Sequence, residues 1–121
     1  MIDATKIATA YIAAWNETDA ARRSVLLAEA FTAGATYVDP LMAGGNREEI
    51  SALIAVVQQR FPGFRFALRG RPDAFGSKLR FSWGLGPVAG DTLIEGTDFA
   101  SVADGKIEAV TGFLDKVPVA A

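Results

Sequence analysis

Residues 79–85 read Leu-Arg-Phe-Ser-Trp-Gly-Leu, with a large apolar side chain at every second position. Alternation with a period of two is typical of a strand that packs one face on a core and turns the other toward water. The same period recurs at 64–69, 92–102 and 107–114, and Ala103-Asp104-Gly105 reads as the turn of a hairpin. The second half of the chain is therefore predicted to form four long antiparallel strands.

Apolar residues recur at helical spacing in the first third of the chain. Ile7, Tyr11 and Trp15 stand four positions apart, which predicts a first helix with one apolar stripe. Asp19 is placed to cap a second helix over about residues 20–31. The charged side chains of that helix that we expect to remain in water are Arg22, Arg23 and Glu29.

A short strand and a third helix follow in the sequence. Residues 36–39 predict a strand that Pro40 terminates, because proline has no N–H to donate to a ladder. Residues 41–45, Leu-Met-Ala-Gly-Gly, are expected to form a flexible loop. A capping box at residues 46–49 and helical apolar spacing over residues 50–61 predict the third helix.

The order of these elements predicts an α+β fold. Helices packed on one strongly curved sheet would bury both sets of apolar faces and leave a cavity between them. A length of 121 residues suits one domain, spanning residues 1–121. The net charge of −2 gives no indication of a nucleic-acid partner or an anionic membrane surface. No window reaches the roughly 18 unbroken apolar residues that a membrane span needs.

The residue types that the sequence lacks restrict its chemistry. With no histidine and no cysteine, the chain cannot form disulfides, thiolate nucleophiles or the usual zinc and haem sites. No acidic cluster has the spacing of a Mg²⁺ or Ca²⁺ site, so we expect neither a metal nor a cofactor. The absence of cysteine, and of a signal-peptide pattern in residues 1–15, leads us to expect a cytoplasmic protein. Acid–base chemistry would therefore fall to carboxylates and tyrosines.

Two aspartates stand in apolar surroundings. Asp39 ends a hydrophobic strand directly before Pro40, and Asp98 is the one charged residue on the apolar face of residues 94–102. Burial disfavours an ionised carboxylate and raises its pKa, so an aspartate in such a position is a candidate for proton transfer. Each could instead be structural: Asp39 by accepting N–H groups from the 41–45 loop, and Asp98 by bonding to a neighbouring hydroxyl or amide.

Four segments, taken in this order, resemble the nuclear transport factor 2-like superfamily, and within it the SnoaL-like, ketosteroid-isomerase-like branch. The segments are Tyr11-Ile-Ala-Ala-Trp15-Asn, Ala35-Thr-Tyr-Val-Asp-Pro40, Gly96-Thr-Asp-Phe99 and the tail from Asp104 through Asp115. The resemblance implies a cone-shaped, curved antiparallel sheet wrapped by three N-terminal helices, the NTF2-like or cystatin-like roll. It also implies a homodimer, for which the outer sheet face around Phe99 is the expected interface.

The resemblance also assigns roles to individual residues. Ketosteroid isomerases carry a catalytic base aspartate just before a proline after the second helix, and Asp39 matches that position. In that family a first-helix tyrosine and a protonated aspartic acid on the penultimate strand donate hydrogen bonds to the oxyanion, and Tyr11 and Asp98 match them. The implied partner is a small hydrophobic ligand that contains a carbonyl group. The side chains expected to line its pocket are Trp15, Tyr37, Met42, Phe61, Trp83 and Phe113.

Three kinds of function remain open. An isomerase and a polyketide-cyclase-like enzyme would use the same groups, since both reactions start from an enolate. A non-catalytic binding domain would keep the pocket and use both aspartates structurally. An epoxide-hydrolase-like enzyme would need an Asp-Arg-Asp relay around a water molecule, and Arg80 bridging Asp39 and Asp98 would favour it.

Overall fold

The computed structural model describes residues 2–118 of the chain. Its elements, in chain order, are α1 (Ala4–Asn16), α2 (Ala20–Ala30), β1 (Phe31–Val38), β2 (Ala43–Gly44), α3 (Arg47–Arg60), β3 (Phe64–Phe75), β4 (Lys78–Pro87), β5 (Ile94–Ala103) and β6 (Lys106–Lys116). The strands form one sheet in the order β2-β1-β6-β5-β4-β3, a curved sheet whose edge strands do not close on each other over this range. The predicted α+β class, with three helices on one curved sheet, is confirmed.

Strand pairing in the sheet is antiparallel except between β1 and β6. The predicted four long antiparallel strands are confirmed as β3 to β6. β1 lies parallel to β6, with Phe31 opposite Ile107 and Tyr37 opposite Val110. Six residues of β1 therefore span three residues of β6, and the register shifts between Phe31 and Thr36. A register shift of this kind is typical of a β-bulge, which bends the strand that carries it.

Each helix begins at a residue whose side chain accepts a backbone N–H three positions later. These N-caps are Asp3, Asp19 and Asn46, with N···O distances between 2.9 and 3.1 Å. The predicted capping box is half formed, because the Glu49 carboxylate accepts from the N–H of Gly45 rather than from that of Asn46. The helices have 13, 11 and 14 residues, and within residues 2–118 none is long and apolar enough to cross a membrane.

The second helix ends earlier, and the first strand begins earlier, than predicted. Phe31 has extended backbone angles of φ −123° and ψ 149°, so the helix stops at Ala30 and β1 starts immediately. Phe31 is fully buried in this position. Apolar spacing could not place this boundary, because a buried phenylalanine suits the last turn of a helix and the first residue of a strand equally well.

The segment over residues 41–45 is not the flexible loop that its composition suggested. Ala43 and Gly44 form β2, which pairs antiparallel with Val38 and Tyr37 at the end of β1. The turn between the two strands is closed by the N–H of Asp39, which donates to the Met42 carbonyl at 2.9 Å. The backbone after Pro40 is therefore held against the sheet beside the cavity.

The inner face of the sheet is the one that the period-two pattern predicted. The apolar side chains of residues 79–85 are buried on β4, and positions 96, 98, 100 and 102 are buried on β5. Asp98 therefore faces inward with a side chain that is 1% exposed. The helices cover this face, with α1 packed on β3 and α2, and α3 packed on β1 and β2.

Arg23 is buried, so the prediction that it stays in water is wrong. Its side chain is 4% exposed and lies between α2 and α3. The guanidinium donates to Ser51 Oγ at 2.9 Å, to the Glu17 carbonyl at 2.7 Å and to Gln58 Oε1 at 3.2 Å. Because α2 packs against both α1 and α3, it buries a wider face than a single apolar stripe would indicate.

Candidate functional site

A cavity of about 390 Å³ lies between the helices and the inner face of the sheet. Most of its wall is apolar, as is usual for small-molecule sites. The predicted site residues that line it are Tyr11, Trp15, Tyr37, Asp39, Met42, Phe61, Trp83 and Asp98. The structure therefore brings all three candidate catalytic residues to one cavity.

Phe113 does not line this cavity, and its assignment to the pocket is wrong. Its ring is 53% exposed on the outer face of the sheet and packs edge-on against Phe99, with ring centroids 5.7 Å apart. On β6 the inward positions are taken by Val110, Gly112 and Leu114. Phe113 was assigned to the pocket because it is aromatic. The alternation of side chains along β6, however, decides which face of the sheet a residue occupies.

Asp98 is the most buried polar group of the cavity. Its Oδ2 accepts the hydroxyl hydrogen of Tyr11 at 2.6 Å, and its Oδ1 is buried without a hydrogen-bond partner among residues 2–118. Burial raises the pKa of this carboxyl to about 6, although the Tyr11 hydroxyl and the neighbouring Trp83 indole act to lower it. The charges of Asp39 and Asp115 raise it further. A carboxyl in this state can exchange a proton near neutral pH.

Tyr11 lies one helical turn before Trp15, and its ring packs edge-on against Phe81 with centroids 4.9 Å apart. Burial first, and then the charge of Asp98, raise the pKa of the Tyr11 phenol well above its usual value. The hydroxyl therefore stays protonated and acts as a hydrogen-bond donor. Its one hydrogen is directed to Asp98 rather than into the cavity.

Asp39 is held by three hydrogen bonds just beyond the end of β1. Its Oδ1 accepts the backbone N–H groups of Leu41 and Met42 at 2.8 and 2.9 Å. Its Oδ2 accepts the hydroxyl of Tyr37 at 2.6 Å. This is the geometry that the structural alternative for Asp39 predicted. The carboxylate nevertheless lines the cavity, and Oδ2 has a second lone pair that Tyr37 does not use.

Tyr37 donates its hydroxyl hydrogen to Asp39 and also lies within reach of the charge of Asp98, a position that the sequence did not indicate. Burial, followed by the charge of Asp98 and the hydrogen bond to Asp39, raises the pKa of its phenol far above the usual value. Tyr37 therefore remains a donor to Asp39 at any pH that the protein encounters. The two sides of the cavity thus repeat one device, a buried tyrosine that orients one aspartate.

Gly112 is the residue around which these groups meet. A Cβ atom placed on it would lie 2.8 Å from Asp98 Oδ1, 3.3 Å from Asp39 Cβ and 3.4 Å from Tyr37 Oη. Gly112 pairs directly with Asp98 in the sheet. Any larger residue here would displace the Asp98 carboxyl. The alternation along β6 is enough to place residue 112 on the inner face of the sheet. A glycine, however, has no side chain whose type would indicate a functional site.

The arginine that the hydrolase alternative required does not join the two carboxyl groups. Arg80 lies on the outer face, 3.4 Å from Asp73, and bridges neither Asp39 nor Asp98. The hydrolase alternative therefore lacks the arginine that it required. Arg60 was not among the predicted site residues, yet it lines the cavity at the end of α3 and is the one cation among its described lining residues. Within residues 2–118 no cluster of three or more acidic side chains could hold a metal ion.

A scan of protein families finds no model that matches the chain. A search of curated proteins also finds no match.

Solved structures include proteins similar to this chain over most of its length. An inferred isomerase of the SnoaL-like family from Agrobacterium tumefaciens str. C58 is 46% identical, with a TM-score of 0.88 over 93% of this chain and 97% of that chain. An inferred ketosteroid isomerase from Kribbella flavida DSM 17836 is 20% identical, with a TM-score of 0.69 over 96% and 80% of the two chains. An inferred SnoaL-like polyketide cyclase from Jannaschia sp. CCS1 is 18% identical, with a TM-score of 0.69 over 92% and 86%. The last two similarities show the shared NTF2-like fold alone.

Proposed function

The chain belongs to the SnoaL-like family, and we propose that it is a cofactor-independent enzyme that transfers a proton next to the carbonyl group of a small hydrophobic ligand. The observation that carries this proposal is the state of Asp98, a buried carboxyl with one oxygen on Tyr11 and the other unpartnered within the described chain. Asp39 faces the same apolar cavity. Two carboxyl groups in different surroundings of one site can serve as the acid and the base of one reaction.

In the proposed reaction the ligand carbonyl lies against Asp98, and Asp39 removes a proton from the adjacent carbon through Oδ2. The electrons of the broken C–H bond form an enolate, whose oxygen accepts a hydrogen bond from the protonated Asp98. One such donor lowers the barrier by about 3 kcal/mol. Return of the proton from Asp39 to the far carbon of a neighbouring double bond gives the isomer.

A ring closure would start from the same enolate. Attack of the enolate carbon on a second carbonyl carbon forms the new C–C bond, and the proton held by Asp39 neutralises the resulting alkoxide. The isomerase description of the 46% identical SnoaL-like protein agrees with a first step of this kind. The cavity walls are apolar, which favours a hydrophobic ligand for either outcome.

The alternative is a binding domain without catalysis, which the three hydrogen bonds on Asp39 would equally suit. An assay of turnover distinguishes the enzyme from the binding domain. The substrate is a β,γ-unsaturated cyclic ketone, and the absorbance of its conjugated product measures the rate. We expect Asp39→Asn to lower kcat by about 10²- to 10⁴-fold while the ketone still binds. The matched control is Asp73→Asn, which removes an exposed carboxylate on the outer face and should leave kcat unchanged. A wild-type protein that binds the ketone without converting it would favour the binding domain.

We further propose that the protein acts in the cytoplasm as a homodimer through the outer sheet face. Phe99 and Phe113 are 45% and 53% exposed there and pack edge-on against each other. Analytical ultracentrifugation should show a dimer that Phe99→Ser converts to monomer. Val88→Ser is the control, because Val88 is also apolar and is more exposed than Phe99, in the turn after β4. A wild-type monomer at micromolar concentration would contradict the dimer.

A further inference from the structure

Tyr11 has no hydrogen left for a ligand. A phenol carries one donor hydrogen, and that of Tyr11 is on Asp98 Oδ2 at 2.6 Å. The same geometry leaves Asp98 Oδ1 free. Tyr11 is therefore placed to orient Asp98 rather than to contact the ligand oxygen itself.

A second polar atom of the cavity wall is also without a partner. The indole Nε1 of Trp15 is buried and makes no hydrogen bond to any part of residues 2–118, although the residue is 4% exposed and lines the cavity. The backbone carbonyl of Trp15 does have a side-chain partner, because it accepts a hydrogen bond from Gln58 Nε2 at 3.0 Å. An indole N–H can only donate, and buried donors are normally paired.

Trp15 lies between the two tyrosines that orient the carboxyl groups. Its ring centroid is 6.1 Å from that of Tyr11 and 5.5 Å from that of Tyr37. The indole N–H points toward the Tyr11 hydroxyl oxygen, and an interaction of hydrogen-bond type lowers the pKa of that phenol. The N–H nevertheless reaches hydrogen-bond geometry with no atom of residues 2–118. The Trp15 N–H and the Asp98 carboxyl therefore both lie beside the Tyr11 hydroxyl, and both residues line the cavity.

We infer that the Trp15 indole N–H and the protonated Asp98 together hold the carbonyl oxygen of the ligand, and that Tyr11 acts through Asp98 as a positioning residue. Two donors on one oxygen match its two lone pairs, so the site takes an acceptor-only oxygen such as that of a ketone. This inference deepens the proposed function and rests on it for the ligand class. It replaces Tyr11 by Trp15 as the second direct donor.

The test compares two ligands that differ only in the carbonyl, 1-tetralone and tetralin, by equilibrium binding to the folded protein. We expect the wild type to prefer the ketone, and Trp15→Phe to reduce that preference about tenfold through the loss of one hydrogen bond. The control Phe66→Leu removes apolar wall that packs on Trp15, and should weaken both ligands alike. An equal loss for both ligands in Trp15→Phe, or a wild type that binds neither, would overturn the inference.

Nuclear magnetic resonance provides a second measurement that needs no altered Trp15 in the tested protein. The chain has two tryptophans and so two indole N–H signals, which Trp15→Phe assigns. In the wild type, the Trp15 signal should move downfield with 1-tetralone and not with tetralin. Equal behaviour with both ligands would contradict the inference. Because neither measurement uses turnover, an inactive protein would overturn the proposed function while leaving this result standing.

The pH dependence of ketone binding tests the role of Tyr11. The groups that act on Asp98 are Tyr11 on α1, Trp83 on β4, Tyr37 and Asp39 at the end of β1, and Asp115 on β6. Ketone affinity should fall as the pH rises through about 6, because Asp98 loses its proton. In Tyr11→Phe this fall should move to higher pH, since the hydrogen bond that favours the carboxylate is gone. An affinity lowered equally at every pH would instead show that Tyr11 contacts the ligand directly.

Discussion

Tyr11 and Asp98 are joined by a hydrogen bond of 2.6 Å, although 87 positions separate them in the chain. The bond connects the first helix to the middle of β5, across the core. It uses one oxygen of the carboxyl and leaves the other facing apolar surroundings. A contact between α1 and β5 therefore positions the carboxyl group that would bind a ligand oxygen.

Asp98 should make the stability of the protein depend on pH. Burial raises the pKa of its carboxyl from 3.8 to about 6, so the folded state binds more protons than the unfolded state between these values. Its contribution is fully present below the unfolded pKa and is lost as the pH rises through the folded pKa. At 1.36 kcal/mol per pKa unit, the loss amounts to about 3 kcal/mol.

Urea unfolding at pH 4 and pH 7.5 measures this loss. The wild type should lose stability relative to Asp98→Asn between the two values, because the amide does not titrate. Asp73→Asn is the control. Because that carboxylate is exposed, its removal should leave the pH dependence of stability as it is in the wild type. Parallel stability curves for the wild type and Asp98→Asn would show that Asp98 does not hold its proton in the folded state.

Gly112→Ala should reduce activity without unfolding the protein. The added methyl group would stand 2.8 Å from Asp98 Oδ1, so the carboxyl must leave its position. We expect kcat/KM for the β,γ-unsaturated ketone to fall by about 100-fold, as for the misplacement of a catalytic group. Gly34→Ala is the control, because nothing lies within 4 Å of the position of its Cβ. Full activity in Gly112→Ala would show that the reaction does not depend on the position of the Asp98 carboxyl.

Arg23→Met should destabilise the protein by about 2–3 kcal/mol, because it removes hydrogen bonds from a buried charged group to α3 and to the turn after α1. The neighbouring Arg22→Met should change stability by less than about 0.5 kcal/mol, since the Arg22 side chain is exposed. Thermal unfolding by circular dichroism compares the two variants. Equal effects would mean that the Arg23 network does not support the helix layer.

Local patterns in the sequence are sufficient for the four long strands and for the helix starts. Asp98 was predicted to face inward because its neighbours at every second position are apolar, and burial on one face of a sheet enforces that register. Asp19 was predicted as a cap from its position before an apolar run, and its side chain does accept the N–H of Arg22. In both cases the signal lies within a few residues of the feature.

The remaining features depend on contacts between distant segments. Arg23 is buried because α3 covers the side of α2 that the pattern left polar. Gly112 matters because Asp39 and Tyr37 arrive beside it from β1, which its own strand cannot indicate. Tyr11 and Asp98 were expected to share one site, but only the structure shows that the Tyr11 hydroxyl donates to Asp98 and that the Trp15 N–H has no partner within residues 2–118.

Exchange of hydrogen for deuterium at the carbon next to a carbonyl tests the central claim most directly, because it reports enolate formation whatever product follows. The measurement is the rate at which 1-tetralone takes up deuterium at that carbon in D₂O with wild type, Asp39→Asn and Asp73→Asn. We predict exchange well above the buffer rate for the wild type and Asp73→Asn, and a rate at least about 100-fold lower for Asp39→Asn. Exchange at the buffer rate with the wild type, under conditions in which the ketone is bound, would contradict proton transfer as the function of this site.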